Sequence, residues 1–138
     1  MAVHYRILSD IGLVYVRYSG VATVQETVEA FTRFSRDPDS RPELKHLIDL
    51  KDIVEYDRSY VDLMKFQALQ VDTLMASGRP SFMIYLAPTR ISRSMAHSAL
   101  KSWDGLEAMV VRVVQDEAEA LEMLGLEQRC IDELMNRA

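Results

Sequence analysis

Cysteine is nearly missing, since Cys130 is the only one in 138 residues. A single thiol closes no intrachain disulfide, and the histidines His4, His46 and His97 are too dispersed to offer it a zinc-ligand spacing. Glycine is scarce as well. The five glycines stand apart, so neither GxGxxG nor a P-loop occurs, and no cofactor cradle is expected. Long apolar runs are absent too. The longest are strand-length, such as Phe82 to Ala87, too short to cross a bilayer. The opening "MAVHYRILSD" alternates apolar and polar residues and lacks the continuous apolar core of a secretory signal. A reducing cytoplasm is the setting this predicts. Positive charge is not in excess either: Lys and Arg number 16 against 21 Asp and Glu, a net charge of -5. That balance argues against general nucleic-acid binding, which needs a basic surface to displace counterions.

What is present reads as one α/β domain over residues 1–138. "VHYRILS" and "GLVYVRY" alternate with period two around a turn with Asp10 and Gly12, an antiparallel hairpin. "TVQE", Thr23 to Glu26, is a capping box, and the helix behind it puts Val24, Val28, Phe31 and Phe34 on one face. "DPDSRP" ends that helix. "HLIDL" reads as a short buried strand, followed by an acidic turn and a long helix from about Ser59 to Ser77. "SFMIYLA" is a second buried strand, "SRSMAHSALKSW" a helix with Met95, Ala99, Leu100 and Trp103 inward, "AMVVRVV" a last strand and "DEAEALEMLGL" a compact helix. The order β-β-α-β-α-β-α-β-α predicts a mixed, largely parallel sheet of about five strands with four or five helices. The tail from Glu127 to Met135 carries Cys130, Ile131, Leu134 and Met135 on one side. That side needs a cover, either the chain's own sheet or a second copy, and a homodimer is the expectation.

Ligands of such folds bind beyond the carboxyl ends of the strands, which directs attention to two segments. The first follows "HLIDL" and contains Asp49, Asp52, Glu55, Asp57 and Ser59, with Tyr56 and Tyr60 flanking it. Asp49, Tyr56, Asp57 and Tyr60 are pocket-lining candidates. Asp49 and Asp52 have the acid types of a magnesium site, but the partnering lysine of such sites has no counterpart on a later strand end, and no metal is expected. Ser59 stands three residues before Asp62, so it suits a helix cap, and the same place suits a phosphoacceptor. Both readings stay open on the residues alone. The second segment is "APTRISRSMAH", in an acid-free stretch from Thr73 to Trp103. There Arg90, Ser92, Arg93 and Ser94 gather at a helix start, an arrangement suited to a carboxylate or phosphate, with Ser92 alternatively a plain cap. No nucleophile, base and orienting group come together in the pattern, so an enzyme is not expected.

The element order and the stretch "DLKDIVEYDRSYV" resemble the STAS fold of the SpoIIAA-like bacterial proteins. Asp49 and Leu50 match that family's strand end, Asp57 its loop aspartate after a six-residue loop, and Ser59 its phosphorylatable serine; Arg58 and Tyr60 stand where the family has serine and glycine. The resemblance implies a non-enzymatic regulatory or protein-interaction module. The alternative is a carrier for a small anionic or lipid-like ligand held near Arg90 and Arg93.

Overall fold

The computed structural model describes residues 3–41, 43–58, 81–102 and 109–136. Its core is one five-stranded sheet of strands β1 (Val3–Leu8), β2 (Leu13–Ala22), β3 (Lys45–Tyr56), β4 (Ser81–Leu86) and β5 (Met109–Val114), lying in sequence order. β1 runs antiparallel to β2, and the pairs β2–β3, β3–β4 and β4–β5 are all parallel. The described helices are α1 (Val24–Ser35), α2 (Arg90–Ser102), α3 (Glu117–Met123) and α4 (Ile131–Met135). The α/β class and the mixed, mostly parallel sheet expected from the sequence are what the chain adopts. The segment read as a long helix from Ser59 to Ser77, with Ser59 and Tyr60 in it, lies outside the described residues, as does Trp103.

The hairpin turns through Ser9–Ile11 and Gly12, whose φ of 63° is the left-handed conformation that only glycine adopts freely. Thr23 caps α1 as its spacing predicts, accepting from the Glu26 amide at 3.1 Å, a contact worth about 1 kcal/mol. Helices cover both faces of the sheet. α1 and α2 lie on one face over Val14, Tyr18, Ile48, Leu50, Met83 and Tyr85. α3 and α4 lie on the other over Leu13, Tyr15, Leu47, Ile84 and Leu86. This two-sided cover explains why the inner strands read as nearly continuous apolar runs. The tail helix α4 buries Ile131 and Leu134 in the chain's own second core. Its apolar side is therefore covered from within, and the reason for expecting a homodimer falls away.

One expectation is corrected. Lys51 to Tyr56, read as a turn, continue β3 and pair with β2 out to Ala22↔Tyr56. The β2–β3 register slips between Arg17 and Ser19 and again between Gly20 and Val21, and each slip sets one extra β3 residue against β2. Two extra residues change the side-chain phase, so Leu50, Ile53 and Tyr56 all reach the same core, three residues apart instead of two. A spacing of three looks unlike a strand. Gly20, at φ 66°, supplies the backbone freedom at the second slip. β4 pairs with β3 only from His46 to Asp49, so the paired β2–β3 ribbon runs on past the rest of the sheet.

Candidate functional site

Asp49 sits where β3 leaves β4, with 0% of its surface exposed. Three donors meet its carboxylate: the Tyr15 hydroxyl at 2.5 Å, the Lys51 ammonium at 2.9 Å and the Lys51 amide at 3.0 Å. Burial, and then the bond to Asp49, hold the Tyr15 hydroxyl well above the usual tyrosine range, so it stays a donor. Lys51 is half-buried, and although burial opposes its charge, the contact with Asp49 outweighs this and raises its pKa. A buried charge is tolerable only with such partners. The result is a fixed polar floor between β2 and β3 that faces α3 and α4.

Above that floor opens a cleft of about 490 Å³. Its walls are Lys51 from β3, Leu86 at the end of β4 and Pro88 just past it, and Gln115, Asp116 and Glu117 past the end of β5. Arg129 and Cys130, just ahead of α4, complete the lining. Asp116 caps α3 by accepting from the Ala118 amide at 2.8 Å. Glu117 accepts from the Ile131 amide at 2.7 Å, tying the start of α3 to the start of α4. The cleft thus lies beyond the carboxyl ends of parallel strands, where open α/β sheets place their ligands. The end of "AMVVRVV" at Gln115–Glu117 was not singled out from the sequence, although the rule applied to the other two strand ends would have reached it. Lys51 and Arg129 carried no such signal, because only the folding of the tail brings them together.

The four acids read as one turn do not converge. Asp49 engages Lys51 and Tyr15, Asp52 pairs with Arg17 at 2.7 Å, and Glu55 pairs with Arg58 at 3.2 Å. Asp57 donates its amide to the Ala22 carbonyl at 2.8 Å, closing the ribbon. Among the described residues no three His, Cys, Asp or Glu side chains are grouped as a metal would require. Tyr56 lies on the opposite face from Asp49, so these two candidates do not share a pocket. Its hydroxyl meets Ser94 Oγ at 2.6 Å, and Arg58 stacks 4.4 Å from its ring centre. Burial raises the Tyr56 pKa, but its bonds with Ser94 and Ser98 and the Arg58 charge reverse the direction to a net lowering.

At α2 the helix cap is Thr89 and not Ser92. Thr89 Oγ1 accepts from the Ser92 amide at 3.1 Å, while Ser92 Oγ accepts from the Thr89 amide at 2.9 Å, a reciprocal capping box. Ser92 is fully buried in that exchange. Arg93 donates to the Pro88 carbonyl at 3.0 Å, and Ser94 is held by Tyr56. Of the four residues expected to gather an anion, Arg90 is exposed and the other three are engaged by the protein itself.

Comparison with known proteins finds no family model that matches the chain and no curated protein that matches it. The described helices include none long and apolar enough to cross a membrane.

Proposed function

We propose that this chain is a non-catalytic regulatory module of the STAS/SpoIIAA-like type that docks a protein partner on the β2–β3 end of its sheet. The observation that carries the reading is the ribbon itself. Its backbone is held by pairing from Leu13↔Lys45 to Ala22↔Tyr56, yet Val21 is 52% and Val54 70% exposed at neighbouring places on it. Exposed apolar side chains on a paired ribbon that extends past the rest of the sheet suit a partner surface. The hairpin followed by parallel strands in sequential order supports the family likeness. So does the position of Asp57 at the ribbon's end, two residues ahead of Ser59. The six residues from Lys51 to Tyr56 depart from the loop that the likeness implies, because here they are strand.

The test is quantitative co-purification from the cells of origin, comparing the natural chain with Val54→Lys and with Glu119→Lys as a control. A partner retained by the natural chain and the control and lost by Val54→Lys supports the reading. Identical partner sets for all three overturn it. Intact mass of the same preparations reports on Ser59: a +80 Da species mapped there makes the ribbon's end a phosphoryl switch, and its absence leaves Ser59 the role of a cap.

A further inference from the structure

From the cleft beyond β4 and β5 we infer a second site, one that binds a small zwitterion of the amino-acid class. The cleft shows both signs of charge, Lys51 and Arg129 against Asp116 and Glu117, with an apolar wall from Leu86 and Pro88. Existing bonds decide which of these charges face a ligand. Lys51 is committed to buried Asp49 at 2.9 Å, so it balances the floor. Arg129 is exposed and, among the described residues, contributes only its backbone amide to a bond, donated to Glu133 at 3.0 Å, which leaves the guanidinium fork to the cleft that it lines. Asp116 and Glu117 line the cleft and each accept a backbone N–H through one oxygen, Oδ1 and Oε1, while the second oxygen makes no hydrogen bond among the described residues.

A simple anion would meet Arg129 and be repelled by two carboxylates. A simple cation would meet the carboxylates and be repelled by Arg129. A molecule with both charges satisfies both sides, its carboxylate on the Arg129 fork and its ammonium on Asp116 and Glu117. The volume of about 490 Å³ lies within the range of small-molecule sites. The site borrows Lys51 from β3 but uses neither Val21 nor Val54, so it stands or falls independently of the partner proposed there.

Titration calorimetry at neutral pH tests it with three compounds of one shape: L-leucine, 4-methylpentanoate, which lacks the ammonium, and 3-methylbutylamine, which lacks the carboxylate. L-Leucine is expected to bind saturably, and each single-charge compound about tenfold or more weaker. Arg129→Gln and Glu117→Gln are each expected to weaken L-leucine by about tenfold, with Glu119→Gln unchanged. Glutamine keeps an acceptor for the Ile131 amide, and circular dichroism confirms that each variant is folded. The three-compound comparison on the unaltered chain tests the proposal even if a variant fails to fold. No saturation with L-leucine up to about 10 mM, or equal affinity for either single-charge compound, overturns the proposal. Wild-type binding by either folded variant overturns it as well.

Discussion

His46 is where pH should reach the stability of this fold. Its ring is 4% exposed, its centre lies 5.8 Å from that of Phe34, and Nε2 has no hydrogen-bond partner among the described residues. Burial lowers its pKa from 6.5 to about 4, because an imidazolium there would lose its water and gain nothing in return. The unfolded chain takes up a proton near pH 6.5, and the folded chain refuses it until about pH 4. The stability linked to His46 is therefore fully present above pH 6.5 and lost as pH falls toward 4. With 1.36 kcal/mol per unit, the whole loss is about 3 kcal/mol, most of it complete by about pH 4.5. The perturbation is His46→Leu, which keeps a similar volume and removes the titration. Denaturant unfolding of both proteins at steps from pH 7 to pH 4 gives the difference in stability at each pH, in which the titrations of the carboxylates cancel. That difference should move in favour of the variant by roughly 3 kcal/mol across the window. At pH 7 the variant should already equal or exceed the natural chain, since it no longer buries an unsatisfied nitrogen at a cost of about 1–3 kcal/mol. A difference that stays constant from pH 7 to pH 4 would refute the reasoning.

Three further outcomes follow from the packing and the register. Asp49→Ala removes one acceptor from three donors and should cost roughly 3 kcal/mol by chemical unfolding, against about 1 kcal/mol for Tyr15→Phe, which leaves Lys51 to hold the carboxylate. Gly20→Ala forces a side chain onto a φ of 66° with nothing within 4 Å of the added carbon, so its cost of about 1–2 kcal/mol is purely conformational. A melting temperature unchanged from the natural chain would contradict the slip at Gly20. Ile53→Ala should cost about 2–4 kcal/mol and Val54→Ala less than about 0.5 kcal/mol, and a reversed order would mean that the register is wrong.

The regular parts of the fold were legible because local chemistry and burial agree there. The hairpin alternates with period two, Thr23 caps where a threonine precedes a glutamate by three, and strands β4 and β5 are apolar apart from Ser81 and Arg112. β3 was legible only to Leu50. Beyond it the two register slips replace the period of two with a spacing of three, and its charged residues are ones that local propensity assigns to turns. Long pairing with β2 overrides that propensity, an effect of tertiary context that a local reading does not contain. At the candidate anion site the internal partners of Ser92, Arg93 and Ser94 were not legible for a related reason. Serines at a helix start suit a ligand and a capping box equally well, and here Thr89 and Ser92 satisfy each other. The cleft is assembled from Lys51 and from Arg129, more than seventy residues apart, and only the return of the tail onto the second face of the sheet brings them together.

The continuation of β3 from Leu50 to Tyr56 is what sets Val54 outward, separates Asp49 from Tyr56 and brings the ribbon's end to Asp57. Backbone NMR tests it most directly. Extended-chain carbon shifts from Lys51 to Tyr56, cross-strand contacts joining Gly20 to Ile53 and Ala22 to Tyr56, and a slowly exchanging Asp57 amide are the expected result. Turn-like shifts in that segment, with no contact to β2 beyond Arg17 and a rapidly exchanging Asp57 amide, would contradict it.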